Sequence, residues 1–240
     1  PIWALKRLAS PQIDLLQFHA WNYADPNWLN ALYALNKLRE KRSQSPIAIS
    51  ILSPRIIDEA KAQRIDFLLN KVSGVYMPTI GNEQHMMAIR QPISLKGLYL
   101  YLEDGIPIRT SGLYSNNALI EINTSNINTI EVIKGPASAM YGAEAIGGVV
   151  NFISNPIPKN AQLIFSAQLN NVGFKKADLM WGTPTKKGGW LINSSWADQK
   201  NGVTEYSDFN KKTISIKHDF LISPKLKGYQ TLNYIDYYRN

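Results

Sequence analysis

The sequence predicts an α+β domain followed by antiparallel β-strands of membrane-spanning length. Three observations carry that prediction. Ile130–Ser154, IEVIKGPASAMYGAEAIGGVVNFIS, reads as strand, glycine-rich elbow and strand. Leu98–Arg109, LYLYLEDGIPIR, reads as a hairpin around Asp104-Gly105. After Asn155-Pro156 the chain changes to segments of about ten residues in which apolar and polar side chains alternate, the pattern and length of tilted membrane strands. The predicted organisation is residues 1–45 as a separate N-terminal segment, 46–157 as the α+β domain and 158–240 as about five strands of a sheet or barrel.

Composition narrows the function classes. The 240 residues include no cysteine, which excludes disulfides and thiolate metal sites. No apolar run reaches the roughly 18 residues of a spanning helix. Pro1 in place of Met, with no basic-then-apolar leader behind it, predicts a processed chain or a piece of a longer one. The net charge of +8 is concentrated at the two ends of the chain. Residues 46–160 carry nine basic and nine acidic side chains, whereas 161–240 carry eleven and six. The excess lysines sit at turns and loops (Lys186-Lys187, Lys211-Lys212, Lys225, Lys227) with no single basic helix, which argues against nucleic acid.

Within 1–45, Asp25-Pro26 has the form of a helix N-cap with proline in the first turn. Trp28, Leu32, Leu35 and Leu38 follow at helical spacing, and Lys37, Arg39, Lys41 and Arg42 suit a helix end. The stripe reads as packing surface rather than as a partner-binding face.

Ile47, Ile49 and Ile51 alternate as a strand. Ser53-Pro54 starts a helix with Asp58 and Glu59 early in it. Its apolar face is Ile56, Ile57, Ala60, Ile65, Leu68 and Leu69, and Gly74 is its expected stop. Residues 81–97 read as a polar loop. His85 beside Met86-Met87 raises a soft-metal or haem site, but one histidine and two methionines without a second cluster favour a loop with adaptable apolar side chains.

In the hairpin, Glu103 and Asp104 suggest a carboxylate pair for acid–base work. Neighbouring strand residues point to opposite faces, so a turn role is the better reading. Thr110–Ala118, TSGLYSNNA, is a polar loop with a ring and two amides, Tyr114, Asn116 and Asn117. The elbow invites a phosphate-cradle reading. Neither Gly-Lys-Ser/Thr nor Gly-x-Gly-x-x-Gly is present, and no base or metal cluster accompanies it, so an enzyme is not expected. Gly135, Gly142, Gly147 and Gly148 are expected to serve backbone geometry, at least one of them at positive φ.

In 158–240, Leu163, Phe165, Ala167 and Leu169 share one parity, as do Ala177, Leu179 and Trp181, then Trp190, Ile192 and Trp196, then Ile214, Ile216, His218 and Phe220. Tyr229, Tyr234, Tyr237 and Tyr238 mark a fifth strand. Aromatics near strand ends are what interfacial girdles show, although a soluble antiparallel sheet alternates in the same way. The connections 183–189 and 223–227 are short and 199–212 is long. On a membrane reading the first two are periplasmic and the third extracellular.

The run at 130–154 resembles the end of the plug domain of TonB-dependent outer-membrane receptors, which typically reads IEVIKGPxSxxYGxxAIGGVINIxT. Asp104-Gly105-Ile106-Pro107 is similar to the family's Asp-Gly-Val/Ile-Pro. Asp66–Val75 is similar to its leucine pair before Pro-Gly-Val, with Ser73 for the proline, and Ile89-Arg90 to its Ile-Arg-Gly, with Gln91 for the glycine. The resemblance implies an α+β plug followed by the first strands of an incomplete transmembrane β-barrel in the bacterial outer membrane. It implies a receptor that imports a scarce nutrient, most often an iron–siderophore complex, without enzyme activity or a bound cofactor. YGAEAIGGVVNFIS is also similar to cobalamin receptors. The expected partners are the cargo, outer-membrane lipid and, for the full-length receptor, a TonB-type energy-coupling protein. No extended TonB box is found before Arg39–Pro46.

The same resemblance sets the expected sites. The ligand-facing loops are 78–88 and 110–117, with Asn82, Gln84, His85, Met86, Tyr114, Asn116 and Asn117 as candidate ligand contacts. Arg90, Asp104, Gly105, Glu131, Lys134, Gly135, Pro136, Tyr141, Gly142, Gly147 and Gly148 form the plug's structural motif, and the elbow 135–148 is expected to anchor plug to barrel wall. A freestanding binding or signalling module built on the plug is the competing reading.

Overall fold

The computed structural model describes residues 49–240 except 82–83, 90–91, 94–97, 109–118, 143, 203–204, 206, 224–225 and 240. Strand β1 (Ile49–Leu52) pairs antiparallel with β8 (Ile127–Lys134), setting Ile49 against Ile133 and Leu52 against Ile130. A two-residue turn joins β6 (Tyr99–Glu103) and β7 (Ile106–Ile108). Both turn residues, Asp104 (φ 49°) and Gly105 (φ 81°), are left-handed, as the twist of a tight hairpin requires. With β9 (Gly148–Ser154) these strands make one sheet in the order β1-β8-β9-β6-β7, in which β6 and β9 run parallel.

Both faces of this sheet are covered. Tyr101, Ile130, Val132 and Phe152 pack with Leu69 and Met77 on one face. Leu100, Leu102, Ile133 and Val149 pack with Ala137 and Ala145 of the elbow on the other. That explains why the apolar side chains of β8 and β9 do not keep to a single parity.

The single helix expected from Ser53 to Gly74 is two. The first, α1 (Pro54–Ala60), has the Ser53 hydroxyl accepting from the Ile56 N–H at 3.5 Å, and it buries no residue. Lys61, in a left-handed conformation (φ 43°), ends it. The second, α2 (Ile65–Leu69), starts from extended Arg64, whose guanidinium meets Asp66 at 2.9 and 3.1 Å. The break lets α2 take its own rotation and bury Ile65, Leu68 and Leu69.

The expected loop at 81–97 is corrected in part. Strand β2 (Val75–Tyr76) pairs with β5 (Ala88–Ile89), and β3 (Thr79–Gly81) with β4 (Gln84–His85). His85, Met87 and Ile89 alternate into the core, a period-two signal masked by the polar residues before it.

The wall follows as five strands, each paired antiparallel with the next: β10 (Gln162–Leu169), β11 (Phe174–Thr185), β12 (Gly188–Gln199), β13 (Phe209–Ser223) and β14 (Leu226–Arg239). The sheet stays open, with β10 and β14 as its edges. Its two faces are inverted relative to a soluble sheet. Asn193, Ser195, Thr213 and Ser215 are buried against the plug, while Leu179, Trp181, Trp196 and Ile214 are exposed and Ile192 and Ile216 half-exposed. Polar side chains inward and apolar side chains outward suit a surrounding of lipid, not water.

Candidate functional site

The elbow between β8 and β9 holds a short helix, α3 (Ser138–Tyr141). Gly135 (φ 124°), Gly142 (φ 92°) and Gly148 (φ 156°) occupy backbone conformations that side-chain-bearing residues avoid, as expected of the motif. A Cβ on Gly148 would lie 2.6 Å from the Ile133 carbonyl oxygen and 2.9 Å from the Ile89 side chain. Four of the elbow's amides have backbone acceptors. Gly135 donates to Gly147 O (3.2 Å), Ala137 to Ala145 O (2.8 Å), Gly142 to Ser138 O (3.0 Å) and Gly147 to Leu98 O (2.7 Å), while Pro136 has no amide to offer. Those four amides are committed to backbone acceptors and do not form a phosphate cradle. Tyr141 packs half-buried beside Ala137 and Ala145.

Two charged motif residues lie under the elbow. Lys134 donates its ammonium to the Ser73 carbonyl at 2.6 Å, tying β8 to the turn after α2. Glu131 is 3% exposed and accepts from Asn151 Nδ2 at 3.0 Å, while Asn151 Oδ1 accepts from the Gly105 N–H at 3.0 Å. Burial pushes the Glu131 carboxyl up to about 7, against the Asn151 hydrogen bond that lowers it.

Among the described residues, the plug is hydrogen-bonded to the wall at two further places. The first is the hairpin turn. Asp104 accepts from the Ser154 N–H (2.8 Å) and hydroxyl (2.5 Å), Lys217 of β13 donates to that hydroxyl (3.0 Å), and the Lys217 ammonium lies 3.6 Å from Asp104. Glu103 accepts from Asn233 of β14 at 3.0 Å. The second is the 3₁₀ turn Thr124–Asn126 with its cap, Asn123. Asn123 Nδ2 donates to Asn193 O (3.3 Å) and Ser215 Oγ (3.0 Å), and Asn193 Nδ2 donates to Asn126 Oδ1 (2.8 Å). Residues of neutral composition, Asn and Ser, gave no sequence signal for this role; only their inward parity in β12 and β13 could have pointed to it.

A cavity of about 300 Å³ opens beside this seam, lined among others by Glu103, Asp104, Glu121, Asn126, Lys217 and Tyr229. Burial raises the carboxyls of Glu103, to about 7, and of Glu121; at Glu103 the neighbouring Asp104 raises it further while Asn233 and Lys217 oppose. Glu103 and Asp104 thus serve the seam, one from the strand and one from the turn.

The ligand-contact candidates divide. His85 is corrected to a core residue: it is 1% exposed, its Nε2 lies 3.1 Å from the Tyr101 hydroxyl, and that hydroxyl donates to the Met87 sulfur at 3.3 Å. Its inward parity within β4 places it in the core. Met86 is half-buried. Gln84 lies in β4. Asn82, Tyr114, Asn116, Asn117 and the motif residue Arg90 lie outside the described residues. Among the described residues no group of three or more His, Cys, Asp and Glu is placed to hold a metal.

Residues 41–149 match the sequence family described as TonB-dependent Receptor Plug Domain. Over 169 residues the chain is 25% identical to a vitamin B12 transporter of Vibrio vulnificus, covering 70% of this chain and 27% of that protein. Among solved structures it is similar to the ferric citrate transporter FecA in its unliganded form (TM-score 0.70, 21% identity, 80% of this chain and 31% of that one). It is also similar to a siderophore receptor of Acinetobacter baumannii (TM-score 0.64, 15% identity, 85% and 32%). The chain spans about a quarter to a third of the length of these relatives. The two structural likenesses carry the fold, plug and wall together.

Proposed function

Because this chain is of the TonB-dependent receptor family, a plug domain with adjoining strands of an outer-membrane barrel, we propose that it serves a receptor importing a scarce nutrient, with an iron–siderophore complex as cargo. The observation that carries the reading is the inverted sheet. Its polar face is seated on the plug, and Leu179, Trp181, Trp196 and Ile214 face outward. A wall of that kind around a plug is a gated passage, with no covalent step required of it.

Cargo contact is assigned to the polar plug loops around 78–88 and 110–117, through Asn82, Gln84, Met86, Tyr114, Asn116 and Asn117. Energy would come from a TonB-type coupling protein acting on the plug. The ferric citrate and siderophore proteins among the structural neighbours support a ferric chelate. The relationship to a vitamin B12 transporter supports cobalamin as the second reading.

The test is direct binding by a receptor carrying this chain to ferric catecholate, hydroxamate and citrate chelates and to cyanocobalamin. Saturable binding of one ferric chelate class is the expected result. Binding of cobalamin alone selects the second reading, and binding of none rejects both.

A further inference from the structure

Four exposed lysines gather at one end of the wall. Lys186 and Lys187 form the turn between β11 and β12, Lys227 lies opposite Leu221 at the start of β14, and Lys159 precedes β10. Segments 155–161, 183–189 and 222–228 contain no aspartate or glutamate. The nearest acid along β13, Asp219, is on the plug-facing side, where one carboxylate oxygen is buried. The opposite end of the wall is different: there Lys176 pairs with Asp178 at 3.0 Å and Lys212 with Asp236 at 3.7 Å.

Next to the lysines, on the outward face, comes a belt of rings. Trp190 stacks on His218 with centroids 3.9 Å apart and planes 8° from parallel, and Phe220 lies 5.3 Å from His218. Ile222 and Leu226 are exposed beside them. Beyond the belt the face becomes aliphatic, with Ile192, Ile214 and Ile216. Ammonium groups, then flat amphipathic rings, then aliphatic side chains follow the profile of one lipid leaflet from headgroup to acyl chain.

We propose that this end of the wall binds the phosphate groups of anionic phospholipid, with Lys186 and Lys187 of the β11–β12 turn as the phosphate contacts and Trp190–His218 as the ring belt over the glycerol level. Charge complementarity selects the occupant: a one-signed cationic rim adjoining an apolar face fits an anionic lipid better than a zwitterionic one. Each such lysine favours an anionic surface by about fivefold at low salt. The proposal rests on the outward face lying in lipid.

The test uses the full chain folded in uncharged detergent micelles, titrated with brominated phosphatidylglycerol or brominated phosphatidylcholine while tryptophan fluorescence is followed. Trp190→Phe isolates the share of the signal from the belt. The expected result is quenching of Trp190 by both lipids, at least about tenfold more readily by phosphatidylglycerol. Raised salt should erase that preference, and so should Lys186→Gln/Lys187→Gln, a variant of exposed side chains whose strand content is checked by circular dichroism. Equal quenching by the two lipids, or a preference that survives the double variant, overturns the proposal while leaving the lipid-facing wall intact. Absence of quenching by either lipid overturns both.

Discussion

The Asp104 carboxylate and the Lys217 ammonium face each other at 3.6 Å across the join of plug and wall, with the Ser154 hydroxyl bonded to both. Each of the two charges is largely shielded from water, at 18% side-chain exposure. Removing one partner leaves the other desolvated and unpaired. Asp104→Asn and Lys217→Met are each expected to cost about 2 kcal/mol. The double variant should cost less than their sum by roughly 1 kcal/mol. Urea unfolding in detergent, followed by cleavage of the plug with protease, reads both; strict additivity would dissolve the link.

A second prediction concerns pH. Glu131 has its carboxyl raised from 4.5 to about 7 by burial. A raised acid binds its proton more tightly in the folded chain. Its full contribution is therefore present below 4.5 and is lost as pH rises through about 7. The loss is on the order of 3 kcal/mol, with Glu103 acting in the same direction and window. Glu131→Gln keeps the shape and can still accept from Asn151. It should flatten the profile and be more stable than the parent at pH above the window. Urea midpoints measured from mildly acidic to mildly basic buffer decide it, and an unchanged slope in the variant would remove Glu131 from the account.

The elbow supplies a third. At Gly148 an added methyl would meet the Ile133 carbonyl oxygen at 2.6 Å in a backbone already at φ 156°. At Gly142 the space is open and only the φ of 92° opposes a side chain. Gly148→Ala should cost about 3 kcal/mol or block folding, and Gly142→Ala about 1 to 2 kcal/mol. Thermal unfolding that ranks them the other way would show that the sheet yields at Gly148.

Those glycines also mark what the sequence disclosed. The Asp104-Gly105 turn, the elbow and the five alternating strands were legible because each depends on local chemistry: positive φ, or period-two patterning. The helix break at Lys61 was not, since Ile57, Ala60, Leu68 and Leu69 suit one continuous helical face and only packing on the sheet divides it. The fasteners escaped for a related reason. Asn123, Asn126, Asn193 and Ser215 are polar residues far apart in the chain, and their meaning exists only once β12 and β13 lie against the plug.

A fourth prediction addresses the cargo. Tyr114, Asn116 and Asn117 sit in a polar stretch of the plug, outside the described residues. Replacing all three by Ala in a receptor carrying this chain should weaken cargo binding at least about tenfold, as loss of a ring contact and two or three hydrogen bonds would. The unfolding midpoint should not move. Unchanged affinity would shift the contact surface from the plug to the loops of the wall.

The outward face gives the sharpest separation between a membrane wall and a soluble module. Ile214 stands near the middle of β13, exposed, with Ser194 and Tyr234 as its cross-strand neighbours. Its neighbour Thr213 points the other way and is 2% exposed under the plug. In water, arginine at an exposed strand position is close to neutral and improves solubility. In a bilayer, arginine near the midplane of a barrel strand costs about 2 to 4 kcal/mol. Ile214→Arg should therefore reduce folding into phosphatidylcholine vesicles while leaving the detergent-free chain more soluble than the parent. Thr213→Arg should damage both, because it places a charge between wall and plug. Band shift on unheated gels and light scattering measure the two outcomes. If Ile214→Arg instead folds into vesicles as well as the parent does, the apolar stripe does not face lipid, and the plug with its sheet is a soluble binding module.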